Sequence, residues 1–157
     1  MKYARLTKEQ FDALHVEFSN FLALQSIDYR EWNQIKKNKP ALAEDELDVF
    51  SDMIWDNVLT KAKFLENVSA KHLFLFSCGA HEIRSIVVKT TDQHVDLLTT
   101  AGINWLLEHL AADSVSIYTG KKTFTTTRNE ALFDLIVKGA HLSDGQLYNR
   151  IAAFLDF

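Results

Sequence analysis

The chain is poor in the residues that usually announce a function. One cysteine, Cys78, rules out an internal disulfide, and one proline with five glycines leaves no composition for a flexible linker. Apolar runs such as Leu73 to Phe76 and Ile86 to Val88 fall far short of the roughly 20 residues that span a bilayer, which excludes membrane insertion. No apolar h-region opens the chain, so the expected compartment is a reducing cytoplasm. A basic stripe is missing too. The net charge is −4, with 9 basic and 12 acidic groups in residues 1–69 and 8 and 9 in residues 70–157. Neither part can neutralise a phosphate backbone, so nucleic acid is not an expected partner.

What is present is core material and helix punctuation. The 157 residues are 47% hydrophobic and include eleven Phe, three Trp and four Tyr, enough for one domain with a well-filled core. Four segments place a short oxygen side chain three residues before Glu or Gln: Thr7-Lys8-Glu9-Gln10, Asp28-Tyr29-Arg30-Glu31, Thr127-Arg128-Asn129-Glu130 and Ser143-Asp144-Gly145-Gln146. Each reads as a capping box, in which the first side chain accepts from an orphan backbone N–H. Leu6 with Phe11, Ile27 with Trp32, and Leu142 with Leu147 read as the accompanying hydrophobic staples.

Apolar spacing then predicts a first helix over about 8–24 and a second from Asp28 to about Lys39, ended by Pro40. A long third helix follows, reaching Glu66 or Asn67, with Leu47, Phe50, Ile54, Val58 and Leu65 on one stripe. After Ser69 the period changes. Leu73 to Ser77 and Ile83 to Lys89 read as strands, about 100–111 as a helix, and Val115 to Tyr118 as a third strand. Gly120 is expected to turn the chain into a weak fourth strand near Thr123 to Thr125, before helices at 129–138 and 144–155. The prediction is a single α+β domain over 1–157: a three-helix part (1–69) packed with a mixed part (70–157) of three to four strands and C-terminal helices.

Chemistry is thinly signalled. His72, Cys78, His81 and Glu82 are near one another in sequence, but they match neither Cys-x2-Cys pairs nor His-Glu-x-x-His, so no metal is expected. Nothing in sequence pairs Cys78 with a histidine as nucleophile and base. Lys121 and Lys122 beside Gly120, with threonines nearby, lack both nucleotide fingerprints, and no cofactor is expected. The best-ordered polar pattern is acidic: Asp45, Asp48, Asp52 and Asp56 align on one face of the third helix, opposite its apolar stripe, and read as a solvated face. Trp55 flanks the stripe, where it either caps the core edge or anchors a partner.

Met1 to Phe11, Phe21 to Asp28 and above all Glu46-Leu47-Asp48-Val49-Phe50-Ser51-Asp52-Met53-Ile54-Trp55 resemble a family of small uncharacterised bacterial proteins, a domain of unknown function. The resemblance implies no activity and no catalytic residues. Some members of such a family carry a histidyl-tRNA synthetase label, which this chain does not support. Arg128-Asn129-Glu130 has the Arg-x-Glu of a class II motif, but it follows a Thr cap, and the glycine-rich Arg motif is absent. The expected role is non-catalytic binding, to another protein or to a second copy, with Asp48, Asp52, Asp56 and Trp55 as the partner-binding residues. The alternative is a small enzyme with His81, Glu82, Asp92 and His94 gathered around the strand connections.

Overall fold

The computed structural model describes residues 1–157, and they divide into two compact units, Met1–Thr60 and Lys61–Phe157. The fold class is α+β: seven helices and a five-stranded antiparallel sheet.

The first unit contains α1 (Lys8–Ala13), α2 (His15–Ala23), α3 (Tyr29–Asn38) and most of α4 (Pro40–Lys61). Thr7 forms the complete capping box, its hydroxyl accepting from the Gln10 N–H while the Gln10 side chain accepts from the Thr7 N–H. Asp28 caps α3 by accepting from the Glu31 N–H. The helix predicted over 8–24 is broken at Leu14, whose ψ of 23° leaves the helical region. Beside the break, Nδ1 of His15 lies 3.0 Å from the Asp12 carbonyl, which the Val16 N–H would use in an unbroken helix. Phe50 of α4, fully buried, is surrounded by the rings of Phe18 (5.0 Å), Phe21 (5.4 Å) and Phe11 (5.9 Å). Trp32 packs edge-on against Phe18 at 5.3 Å, so it belongs to this core.

α4 stops at Lys61, not at Glu66 or Asn67. Leu65 fits the helical stripe but lies on β1 (Phe64–Val68), fully buried. The strand state wins because residues 64–68 pair with β2 (His72–Cys78) at five positions and with β5 (His141–Ser143) at three. One more helical turn offers no such ladder. The helical part therefore ends near residue 61 instead of 69.

In the second unit, β1, β2, β3 (Glu82–Thr90) and β4 (Val115–Thr123) form a meander, and the sheet order is β4-β3-β2-β1-β5. Leu73, Leu75, Ile86 and Val88 point to one face, where Leu106 of α5 (Thr100–Glu108) and Tyr148 and Ile151 of α7 (Gln146–Leu155) complete a buried core. Gly120 does not turn the chain. β4 runs through it in unbroken register with β3, and a Cβ there would sit 3.1 Å from the Ser85 hydroxyl, so glycine leaves room for that side chain. The predicted third and fourth strands are one. Thr127 caps α6 (Arg128–Val137) by accepting from the Glu130 N–H.

The fourth capping box is overturned. Ser143 ends β5, and α7 starts at Gln146 after Gly145, which sits at φ +82° against the Phe64 ring. Glycine is required there, since a Cβ would lie 2.4 Å from that ring. Ser143 instead donates to Glu66 and accepts from the Gly145 N–H. Leu142, half exposed on β5, forms no core-facing staple.

Candidate functional site: an arm seated on an acidic helix face

Residues 2–6 form no helix or strand, so none of their backbone groups is satisfied by regular structure. Four of these groups, the Lys2, Tyr3 and Leu6 N–H and the Ala4 carbonyl, are bound by side chains of α4. Asp52 accepts two successive N–H groups through its two oxygens, from Lys2 (2.7 Å) and Tyr3 (2.9 Å). Asp56 accepts from the Tyr3 hydroxyl (2.5 Å) and from Nζ of Lys2 (3.5 Å). Trp55 Nε1 donates to the Ala4 carbonyl at 3.1 Å. The Arg5 guanidinium donates to Asp48 from Nε (2.8 Å) and Nη2 (2.6 Å) and to the Glu44 carboxylate from Nη1. The Leu6 N–H donates to the buried Ser51 hydroxyl (3.1 Å), which in turn donates to the Leu47 carbonyl. Every residue from Lys2 to Leu6 thus has a partner on α4.

This corrects the solvated-face expectation. The carboxylates in contact with the arm are Glu44, Asp48, Asp52 and Asp56, at strict four-residue spacing, while Asp45 is exposed and stands outside the row. A four-residue step overshoots a full helical turn by about 40°, so the row winds slowly around α4 and an extended segment can follow it. Trp55 neither caps the core edge alone nor points into open solvent; it is the one neutral donor in the row.

The electrostatics follow from the pairing. The hydrogen bonds that Arg5 donates to Glu44 and then to Asp48 raise its pKa above the ordinary value. Arg5 remains about a third exposed and Asp48 somewhat less, so the pair is screened by solvent and held by its forked geometry more than by burial. Asp56 and Lys2 are more open still. The seam is polar and half wet. Beside it, Arg5 and Leu6 help line a cleft of about 750 Å³ that mixes apolar residues such as Phe11, Phe18 and Trp32 with the charged Lys8, Asp12 and Lys36.

The contributors on the arm were not identified from sequence. Their signal was a basic and aromatic run, Lys2-Tyr3-Ala4-Arg5, just ahead of the first cap and opposite in sign to a regular acidic row. Glu44 and Ser51 were missed as well.

The alternative enzyme site does not assemble. His81 and Glu82 lie at the start of β3, and Asp92 and His94 lie beyond its end, so nine residues of extended chain, roughly 25 Å, separate them. Asp92 is used locally, accepting from the His94 N–H. His72 and Cys78 likewise sit at opposite ends of β2, and no three His, Cys, Asp or Glu side chains converge to hold a metal. Cys78 is buried, and desolvation pushes its thiol up to about 11 against the opposing charge of Arg128. Arg128 donates to the Gly79, Cys78 and Ala62 carbonyls, tying the start of α6 to the end of β2 and to the residue that follows α4.

No helix is long and apolar enough to cross a membrane. No curated protein and no solved structure matches the chain significantly. A family model covers residues 1–156, and the chain therefore belongs to the Family of unknown function (DUF6495).

Proposed function

We propose that the protein is a non-catalytic binding module whose α4 row receives a short extended segment, basic and aromatic in character, from a protein partner. In the isolated chain its own arm occupies the row. The observation that carries this is that each residue from Lys2 to Leu6 bonds to one or more of Glu44, Asp48, Ser51, Asp52, Trp55 and Asp56. Extended peptides added to a sheet edge draw affinity from main-chain hydrogen bonds and specificity from side-chain contacts, and the row on α4 offers both kinds of contact to a single segment. The acidic row disfavours nucleic acid and favours a basic polypeptide. A lone buried thiol is consistent with a reducing, cytoplasmic setting.

The row is suited to exchange because the seam is polar. Exposed ion pairs contribute little each, and the only apolar residue of the segment buried in the seam is Leu6. A competing segment therefore has little to overcome. The test uses a full-length chain with Lys2, Tyr3 and Arg5 all changed to Ala, which empties the side-chain positions. A labelled synthetic peptide of residues 1–7 should bind it saturably, more weakly at high salt, and not at all when Asp48 and Asp52 are also changed to Asn. Failure of the peptide to bind the triple-Ala chain would sink the proposal.

A further inference from the structure

The two edges of the sheet are built differently. β5 is only three residues long, a blunted edge. β4 is nine residues long, in continuous register with β3, with no proline and no bulge. Ladder parity says what its outer side offers. Thr91 N–H bonds to the Ser114 carbonyl and Phe124 N–H to the His81 carbonyl, so the even-numbered residues of β4 exchange hydrogen bonds with β3. Val115, Ile117, Thr119, Lys121 and Thr123 then aim their N–H and C=O groups outward. Of these groups only the Val115 N–H has a partner, the Ala112 carbonyl. Nothing in the chain completes this edge.

We propose that a second copy of this chain completes it, β4 against β4, antiparallel about a two-fold axis through Thr119, doubling the five strands into one continuous ten-stranded sheet. The sequence of β4 is self-complementary in that register. All nine residues are paired, outward residues face outward residues, and roughly eight ladder bonds form. Tyr118, 60% exposed, falls directly opposite Gly120 of the partner in both halves of the dimer. An aromatic ring laid over a cross-strand glycine covers backbone that glycine leaves bare. Each lysine faces an uncharged residue, Lys121 opposite Ile117 and Lys122 opposite Ser116. Moving the axis to Lys121 would set Lys121 against Lys121, and like charges directly opposite are destabilising. The charge pattern therefore disfavours a shift toward the lysines, and the Tyr118–Gly120 pairing favours the axis at Thr119.

The test is the mass of the full-length chain in solution as a function of concentration. Thr119→Pro removes only an outward donor, so the β3–β4 ladder stays whole while the edge is blocked. The parent should be a dimer above about 10 µM, a typical affinity for a small isologous interface. Thr119→Pro should be monomeric, and Tyr118→Ala should weaken the dimer roughly tenfold, as for a lost aromatic cross-strand pair. If Thr119→Pro proves unstable, Thr119→Lys sets two lysines face to face on the axis and should also give a monomer. A parent that stays monomeric at high concentration, or either Thr119 variant remaining dimeric, overturns the proposal. The triple-Ala arm chain should dimerise like the parent; loss of the dimer there would move self-association to α4 and refute the β4 edge.

Discussion

The seam between the arm and α4 and the core of residues 61–157 are both long-range contacts, yet they are made of opposite materials. The seam joins residues about 40 to 55 apart in sequence through carboxylates, a guanidinium and backbone amides that water still reaches. The core buries Leu73, Leu75, Ile86, Val88, Leu106 and Ile151 completely or nearly so, with hardly a polar group among them. Dispersion and the hydrophobic effect do not respond to salt screening at the scale of a Debye length, whereas half-exposed ion pairs do. The difference teaches that one contact can open without the other. The proposed exchange of the arm for a partner's segment rests on that difference.

The comparison is broken most severely by removing apolar volume. Phe50 is fully buried among Phe11, Phe18 and Phe21, so Phe50→Ala should lower stability by about 3–5 kcal/mol, and Ile151→Ala in the other unit by about 2–5 kcal/mol. Urea melts with unchanged slope should show both losses. A Phe50→Ala midpoint equal to that of the parent would mean that the aromatic ring cluster does not hold the first unit together.

Alkali should reach the second unit where salt cannot. Burial raises the Cys78 thiol from 9.0 to about 11, so between those values the unfolded chain has lost the proton that the folded chain keeps. The stabilisation is whole below pH 9 and declines as pH rises from there through about 11, by up to about 3 kcal/mol. Comparing parent and Cys78→Ala at pH 8 and pH 11 isolates this from other titrations: the gap between them should narrow at the higher pH. Alkylation of the thiol at pH 8 should also be slow, since a thiol raised from 9.0 to about 11 presents roughly a hundredfold less thiolate than an ordinary one. Rapid alkylation of folded protein at pH 8 would contradict the buried assignment.

The seam should respond less in energy and more in dynamics. Changing Asp48, Asp52 and Asp56 together to Asn should lower global stability by only about 1–2 kcal/mol, because exposed charged pairs contribute little net. Protection of the Tyr3 and Leu6 amides against hydrogen exchange should nevertheless collapse, while that of Ile86 and Val88 stays. Salt at about 1 M, where the Debye length is about 3 Å, should move the parent the same way to a smaller degree. Equal loss of protection in both regions would mean that the seam and the core open together.

Local signals were legible and distant ones were not. Thr7, Asp28 and Thr127 act as caps because a cap is decided within four residues. The strands over 73–77 and 83–89 are each only a residue short at either end of β2 and β3, since β-branched and aromatic runs bounded by Gly79 and Ser69 leave few alternatives. Leu65 satisfied a helical stripe and a buried strand equally well, and only pairing with β2 and β5 decided between them. β5 is too short to show a period at all. The acidic row was legible as a face of α4, but its occupant was not, because spacing along one helix carries no record of a basic run some fifty residues away.

The smallest expected effects separate a true cap from a false one. Thr127→Ala removes the acceptor for the Glu130 N–H and should cost about 1 kcal/mol, with fraying confined to the first turn of α6. Ser143→Ala should cost a similar amount, about 1 kcal/mol, for a different reason: it deletes the 2.7 Å hydrogen bond to Glu66, a carboxylate only 15% exposed. The two variants are therefore distinguished by where protection is lost. In Ser143→Ala the amides along the β1–β5 pairing, Glu66 and His141 among them, should exchange faster, while those of α7 from Asn149 onward keep their rates. A double-mutant cycle with Glu66→Gln sharpens this, since the two changes touch one bond and their costs should fall short of additive. If α7 frays and β5 does not, Ser143 acts as the helix cap that its spacing from Gln146 first suggested, and the bond to Glu66 is incidental.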